Sequence, residues 1–337
     1  MTGSRRGWLW WAGWLGFVVV LVAAAAWLTL ALHFQARPAP LWIALWLVVP
    51  VAALVVTLRR GLAPALGLAA IGMAPFAVWW ASILPTNDRP WQAEVAELVT
   101  GSFDPANPDR VTLTNVRDFH WLTPDRAEER WETRAYDLAM LETTDVIMTY
   151  WMGPQIAHVM VSFGFADGAH LAFSVGIRPA RGQVYSSIAG FFKVYELIVT
   201  AADERDLIGL RSNVQTHNTS VQLYRVALPP EVARDLFREY VGLANGLVER
   251  PRFYQTILAN CTTVVWELVR RIDPGLPLDW RVILSGYLDE YLYAQHALDM
   301  RYTLPELQAM GRLSSDVPLD LDSRAWSAAI RAGIPPL

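Results

Sequence analysis

The chain has 337 residues, 53% of them hydrophobic and 16 of them tryptophan, and its formal net charge is −4. This composition is too apolar for an ordinary soluble domain and too acidic for a protein that binds nucleic acid through phosphate contacts. We therefore expect a protein integral to a membrane, with no nucleic-acid partner.

Three uncharged stretches near the N-terminus are candidate membrane spans, at residues 8–32, 41–58 and 62–84. A helix rises about 1.5 Å per residue and a hydrocarbon core is about 30 Å thick, so stretches of this length fit one crossing each. The first is too long for the apolar core of a signal peptide, and two more follow it. We expect residues 1–84 to form a three-helix membrane anchor.

Basic residues between the spans indicate their orientation. Arg5 and Arg6 precede the first span, Arg59 and Arg60 join the second to the third, and the other connection carries only Arg37. Connections rich in lysine and arginine stay in the cytoplasm. We expect a cytoplasmic N-terminus, with everything after the third span on the opposite side of the membrane.

The rest of the chain has the composition of a folded domain large enough to bury its own core. We expect a turn-rich linker over residues 85–109 and the domain over residues 110–337. Alternation of apolar residues predicts strands, and a period of 3.6 predicts helices. The predicted strands are 111–116, 145–150, 157–163, 169–178, 191–201 and 221–226, and the predicted helices are 230–246, one starting at 261, and one or two within 286–313. The predicted fold class is α+β with an antiparallel sheet.

The start of the second of these helices holds the only cysteine of the chain, Cys261. Apolar residues follow at helical spacing from Val264 to Ile272, so we predict Asn260 as the N-cap and Cys261 as the first helical residue. The positive end of a helix favours a thiolate and can donate hydrogen bonds to an oxyanion beside it. The alternative is a buried cysteine that acts only as a small apolar side chain.

Two histidines on predicted core strands, His158 and His170, are candidate bases for this thiol. A thiol nucleophile needs a base within hydrogen-bond reach and a third polar group that orients the base. A histidine on an apolar strand is more often a structural hydrogen-bonding residue, and that alternative applies to both.

The register of the predicted hairpin decides what lies beside His158. A five-residue turn places Ser174 opposite it, and a register shifted by one pair places Gly176 there instead. We expect the His158 imidazole within about 4 Å of the Cys261 sulfur, with His170 farther away.

Several short motifs carry a resemblance to a known family. In chain order they are Ala157-His158-Val159-Met160-Val161-Ser162-Phe163-Gly164-Phe165, Ser174-Val175, Tyr195-Glu196, Asp203-Glu204-Arg205-Asp206 and Asn260-Cys261-Thr262-Thr263. Their order and spacing resemble the extracytoplasmic domain of the Lnb-type lipoprotein N-acyltransferase family over roughly residues 110–287. More distantly, they are similar to lecithin:retinol acyltransferase and to the circularly permuted NlpC-type papain-like proteins.

This resemblance implies a papain-like fold, with Cys261 as the nucleophile that carries an acyl thioester and His158 as its base. It also implies a bacterial inner membrane, a periplasmic domain, and a membrane lipid or lipoprotein as substrate. In the family an acidic residue often stands where this chain has Gly176. The third member of the catalytic set therefore remains open, with His170 as a further candidate.

Other polar residues are candidates for substrate contacts. Asn260 precedes the cysteine, Tyr254 could donate to an oxyanion, and Arg205, with Arg211, could bind a phosphate head group beside the acidic cluster 203–206. A core aromatic residue and a solvated salt-bridge cluster are the alternatives for Tyr254 and for the acidic cluster. One cysteine and scattered histidines lack the spacing of a zinc site, and we find no glycine-rich phosphate loop, so we expect neither metal nor cofactor.

Three function classes fit these patterns. The first is a membrane-anchored cysteine acyltransferase, the second is a cysteine amidase or peptidase acting on cell-wall peptide, and the third is a non-catalytic envelope scaffold. Three spans favour the first, because a soluble peptide substrate needs only a signal sequence or a single anchor.

The predicted orientation has a direct test. Reporter domains fused after Leu84 and at the C-terminus should both give signals typical of the periplasm, because three crossings follow a cytoplasmic N-terminus. A cytoplasmic signal at either fusion would contradict the orientation.

Overall fold

The structure, a computed structural model, describes residues 3–217 and 219–337, except for the side chains of residues 3–7 and 9. Arg5 and Arg6, on which the predicted orientation partly rests, therefore have side chains outside the described part. The chain divides into two compact units, residues 1–85 with 185–194, and residues 86–184 with 195–337.

The first unit contains three long helices, α1 (Gly3–Gln35), α2 (Ala39–Arg60) and α3 (Leu62–Ser82). Each is long and apolar enough to cross a membrane. Large side chains pack between them, and Trp46 of α2 makes an edge-to-face contact with Phe76 of α3, with ring centroids 4.5 Å apart. The three predicted helices are confirmed, and their role as a membrane anchor over residues 1–84 stays a prediction.

A short segment from far along the chain, residues 185–194, belongs to this first unit. Gln35 Nε2 donates hydrogen bonds to the carbonyl oxygens of Phe192 at 2.6 Å and Lys193 at 2.7 Å. Lys193 Nζ in turn donates to the carbonyl of Trp80 near the end of α3 at 2.7 Å. The last carbonyls of a helix have no partner within the helix, so Lys193 satisfies a group that would otherwise need water.

The second unit contains the remaining elements. They are β1 (Thr100–Asp104), β2 (Asn107–Arg117), β3 (His120–Thr123), β4 (Arg126–Glu128), β5 (Trp131–Asp137), β6 (Leu141–Tyr150), β7 (Ala157–Phe165), β8 (His170–Arg178), β9 (Glu196–Ala202) and β10 (Ser220–Val226), with α4 (Glu204–Leu207), α5 (Pro230–Glu249), α6 (Thr263–Ile272), α7 (Trp280–Ile283), α8 (Leu288–Ala294), α9 (Leu304–Gly311) and α10 (Ser323–Ala329).

One mixed sheet organises this unit, with strand order β1-β2-β9-β8-β7-β6-β10 and β5 paired to β2. The ladders are antiparallel except where β2 meets β9. One face packs against α5, where Phe163 and Phe237 lie 5.2 Å apart. On the opposite face Met160 belongs to a cluster with Trp326 of α10. The α+β class is confirmed, and the papain-like topology stays a prediction.

The segment predicted as a linker, residues 85–109, instead contains β1 and the start of β2. Trp91 also forms an isolated bridge with Ala180, and its ring lies 4.3 Å from the guanidinium of Arg178. Turn residues in the sequence concealed these strands, because pairing with distant partners stabilises them more than their local composition does.

A buried ion network joins the end of β9 to the C-terminal region. Glu204 is fully buried and accepts from Arg331 at 2.5 Å and from the Ser162 hydroxyl at 2.5 Å. Arg331 also reaches Asp145 at 2.9 Å. Burial alone would raise the pKa of Glu204, but the charge and hydrogen bonds of Arg331 outweigh burial and lower it to about 2. The carboxylate therefore stays ionised in the folded protein.

Two arginine-to-methionine substitutions near α10 separate the buried pair from an exposed one. Arg331→Met should cost about 3–5 kcal/mol, because it leaves the Glu204 carboxylate buried without its cation. Arg324→Met removes an ion pair with Asp167 whose side chains are 61% and 53% exposed, so its cost should stay below about 1 kcal/mol.

Thermal unfolding of the detergent-solubilised full chain, followed by circular dichroism, measures both variants. We expect a melting temperature roughly 10 °C lower for Arg331→Met and nearly unchanged for Arg324→Met. Equal shifts in the two variants would show that Glu204 does not depend on Arg331.

Candidate active site

The hairpin of β7 and β8 sets the position of His158. Its register pairs Gly164 with His170 and Met160 with Ser174. The five-residue turn predicted from sequence is therefore wrong, because β7 runs to Phe165 and only four residues separate it from β8. The shifted register applies, and a Cβ built on Gly176 would lie 3.8 Å from Cε1 of His158.

Ser174 holds the His158 imidazole from the diagonal position, with Nε2 and Oγ 2.7 Å apart. Burial among neighbouring groups lowers the pKa of His158 to about 3, and the positive charge of Arg211 adds to this effect. The imidazole is therefore neutral at pH 7 and can accept a proton. In the ladder between β6 and β7, His158 is opposite Thr149. The hydroxyl of Thr149 is buried and has no hydrogen-bond partner among the described residues.

The Cys261 thiol lies where the β7–β8 ladder stops. The last pair is Met160 with Ser174, and in the same register the next hydrogen-bonded position on β7 is Val159. Instead, the N–H of Val159 faces the Cys261 sulfur, while the thiol donates to the carbonyl of Ala157 at 3.8 Å. Burial raises the pKa of this thiol despite the Val159 hydrogen bond, so it is protonated at pH 7.

The thiol therefore contacts the short piece of β7 that carries the imidazole. Ala157 and Val159 contact the sulfur through backbone groups, and His158 lies between them in the chain. Among the described residues no hydrogen bond joins His158 to Cys261, in contrast to the direct contact we predicted. The imidazole instead bonds to Ser174. The contact between a base and its nucleophile often tightens only when substrate binds.

Helix α6 begins at Thr263, so Cys261 precedes the helix rather than opening it as predicted. Asn260 explains the difference, since its side-chain oxygen accepts from the N–H groups of Thr262 and Thr263, both at 2.9 Å. Its amide nitrogen donates to the carbonyl of Thr256 at 2.8 Å. The Asn260 side chain thus fixes the turn that carries the thiol, and in this structure its hydrogen-bonding atoms face the backbone rather than a substrate.

Two residues join this site that the sequence did not place there. The half-buried Arg211 donates to the carbonyl of Leu207 at 2.5 Å, and forms no ion pair among the described residues. Its charge acts on both His158 and Cys261, lowering the pKa of each. Tyr240 is fully buried, and its hydroxyl has no partner in the described part of the chain.

The Tyr240 hydroxyl lies near the thiol. Burial raises the pKa of Tyr240, and the negative charge that Cys261 would carry as a thiolate raises it further. In the sequence this tyrosine belongs to an apolar helical pattern, which gave no signal of a site. Arg211 had a signal only through its place after the acidic cluster, and that signal did not point to the thiol.

His170 does not lie at this site. It pairs with Gly164, six residues from His158, which corresponds to about 20 Å along β7. Its Nδ1 lies 3.2 Å from the carbonyl of Gly168, and it lines a separate cavity of about 460 Å³ with Arg134. The structure therefore separates the two candidate bases by more than the predicted register did.

The acidic cluster 203–206 is buried rather than solvated. Each acidic residue pairs with a distant arginine: Asp203 with Arg134, Glu204 with Arg331, and Asp206 with Arg117. Arg205, predicted to contact substrate, instead donates to the carbonyl of Leu321 at 2.8 Å and to Asp118 at 3.4 Å. These contacts occupy the guanidinium in a structural network.

Tyr254 is half-buried and packs against the main core, and its backbone N–H donates to the carbonyl of Tyr195 at 3.0 Å. Its predicted role toward an oxyanion stays a prediction. Across the described residues, no group of three or more His, Cys, Asp or Glu side chains could hold a metal ion.

Comparison with known proteins gives one match, to a family model. No curated protein and no solved structure matches the chain. Residues 127–286, which include both His158 and Cys261, match the family model of the Lnb N-terminal periplasmic domain.

Proposed function

We propose that this protein is a membrane-anchored thiol acyltransferase. In this proposal Cys261 takes a fatty acyl group from a phospholipid or lipoprotein lipid and passes it to an amine or to water. One observation carries it: the thiol lies on backbone groups flanking His158, whose imidazole is neutral at pH 7. The membrane-spanning helices support a lipid substrate, and the matched family model supports a periplasmic position for the domain. The basic residues beside the spans, Arg5, Arg6, Arg59 and Arg60, support an N-terminus in the cytoplasm.

The first half of the reaction forms the thioester. His158 accepts the thiol proton as the sulfur attacks the ester carbonyl, which gives a tetrahedral oxyanion. When the oxyanion collapses, the C–O bond breaks and the imidazolium returns its proton to the departing alcohol. Cys261 then carries the acyl group, and no redox partner is needed.

The second half transfers the acyl group to its acceptor. An amine or a water molecule attacks the thioester carbonyl while His158 takes its proton. The C–S bond then breaks, and the sulfur regains a proton from the imidazolium. Both halves need a neutral imidazole at the start, which agrees with the lowered pKa of His158.

Nearby groups can stabilise the negative charge that develops in both halves of the reaction. The Val159 N–H stabilises charge on the sulfur, as its lowering effect on the thiol pKa indicates. Arg211 adds a positive charge without a carboxylate partner among the described residues, and Tyr240 adds a buried hydroxyl. Preorganised donors of this kind commonly contribute the largest part of catalysis.

Ser174 bonds to the His158 imidazole at the place where the resemblance led us to expect an acidic residue. In this chain Gly176 offers no side chain there, so the hydroxyl of Ser174 orients the imidazole instead. A neutral hydrogen bond leaves the imidazole less basic than a carboxylate would. Burial and the positive charge of Arg211 also lower the pKa of His158, so none of these groups raises the basicity of the imidazole as a carboxylate would.

The acyl intermediate is directly measurable. Incubating the purified full chain with phospholipid vesicles should add one fatty acyl mass to the protein, and hydroxylamine should remove it because a thioester is labile. Cys261→Ser should show no labile adduct and no transfer, since a serine hydroxyl at pH 7 is far less ionised than a thiol. Intact mass spectrometry gives the readout.

Three results would oppose this proposal. Near-normal transfer by Cys261→Ser would remove the nucleophile, and unfolding of that variant would favour a purely structural cysteine. A peptidyl adduct in place of a fatty acyl adduct would favour an amidase or peptidase.

The two strand histidines give a matched pair for the base. His158→Ala should lower the acyl-transfer rate at least ~100-fold, the lower end of what a general base supplies. His170→Ala should leave the rate within a fewfold of the wild type, because His170 lies at the far end of the hairpin. Single-turnover acylation of Cys261 measures both, and a larger loss for His170→Ala would reverse the assignment.

A further inference from the structure

One end of the central sheet carries the candidate site and is named here the site edge. At this end β6 finishes at Tyr150, β7 starts at Ala157, β8 finishes at Arg178 and β9 starts at Glu196. Cys261 contacts Ala157, so the thiol lies at the same edge. The connections that leave these strand ends therefore surround the access to the thiol.

Large apolar side chains are exposed on the connections at this edge. We name this set the apolar rim, and its members are Met152, Ile156, Ile257, Leu258, Leu278 and Trp280. Leu258 is 70% exposed and Leu278 is 60% exposed, and the others are between 38% and 54% exposed. Apolar side chains exposed together in this way mark a surface that another molecule covers.

Hydrogen bonds hold the rim segments at the site edge. Met152 and Ile156 lie in the connection between β6 and β7. The segment after Trp280 follows the same connection, since the Gly286 N–H donates to the carbonyl of Gln155 at 3.0 Å and the Ser285 hydroxyl donates to the carbonyl of Ala157 at 2.7 Å.

The segment with Ile257 and Leu258 also lies at this edge. It forms the turn just before Cys261, and the N–H of Tyr254 at its start donates to the carbonyl of Tyr195, next to the first residue of β9. Three separate stretches of chain thus present apolar side chains at the edge of the sheet where the thiol lies. The conformation of a single loop therefore does not account for this exposed apolar surface.

The chain also leaves the domain for the membrane-spanning unit from this edge. Thr86, the first residue of the domain, donates its N–H to Glu196 at 3.3 Å. Val184 and Tyr195 border the segment that belongs to the membrane-spanning unit, and the Tyr195 hydroxyl donates to the carbonyl of Val184 at 2.6 Å. All three covalent connections to the membrane-spanning unit, one to the end of its helices and two to the segment 185–194, therefore start at the site edge.

We propose that the apolar rim inserts into the acyl region of the lipid bilayer and opens Cys261 toward lipid rather than toward water. The occupant is the bilayer because the three connections to the unit that holds the membrane-spanning helices begin at the same edge. Trp280 fits this setting, since tryptophan is enriched at membrane interfaces. The proposal rests on the proposed function only in taking lipid as the substrate, and its test uses no enzymatic readout.

The single cysteine allows a clean labelling experiment. Cys261→Ser leaves a chain without cysteine, into which Leu258→Cys places one thiol on the rim for an environment-sensitive nitrobenzoxadiazole label. Met140→Cys is the matched control, since Met140 is also exposed but its carbonyl accepts from Ala166 in the turn at the opposite end of the hairpin. Both proteins go into phosphatidylethanolamine–phosphatidylglycerol vesicles with or without nitroxide-labelled acyl chains.

An interfacial segment buries its apolar side chains about 5–10 Å into the acyl boundary, so nitroxide lipid should quench the label at position 258 at least about twofold more than the label at position 140. Equal quenching at the two positions would overturn the proposal. So would a blue-shifted label at position 258 that is unaffected by nitroxide lipid and depends on protein density, because the rim would then cover a second copy of this chain.

If Cys261→Ser lowers the melting temperature of the full chain, Cys261→Ala provides the alternative background for the same labels. Because quenching reports lipid contact alone, a missing acyl adduct with quenching at position 258 would reject the acyltransferase and keep the lipid-facing rim. An acyl adduct without quenching would do the reverse.

Discussion

The early end of the β7–β8 ladder is the constraint on which the candidate site depends. Beyond Met160 and Ser174 the backbone groups of β7 no longer pair with β8, and buried backbone groups need other partners. Cys261 and Ser285 supply them from two distant segments, at Val159 and Ala157 respectively. The position of the thiol is thus fixed by the hydrogen-bonding need of a strand as well as by its own turn.

The sequence predicted the strands and helices of this site better than it predicted the register between the strands. Apolar alternation located both strands of the hairpin, the helical period located α5, and the length of uncharged apolar stretches located the membrane spans. A shift by one pair moves each strand by two residues and keeps every side chain on its face, so alternation is blind to it. That shift decides whether Ser174 or Gly176 lies directly opposite His158, and only the four-residue turn settles it.

Long-range ion pairs were equally hidden in the sequence. The acidic run 203–206 has the local appearance of a solvated surface, yet its carboxylates are buried because arginines far away in the chain neutralise them. No local pattern reveals such partners, since each pair depends on the finished sheet. The same pairing leaves Arg211 without a carboxylate among the described residues, so its charge acts on the thiol and the imidazole.

Because of the segment between β8 and β9, cleaving the chain at one position does not separate the two units. The chain enters the membrane-spanning unit twice, first with residues 1–85 and again with residues 185–194. A version that starts at Thr86 would still carry Phe192 and Lys193, but without Gln35 and the carbonyl of Trp80 that bind them. The second unit therefore cannot be released from the membrane-spanning unit at one position, because a segment of the first unit is encoded within its sequence.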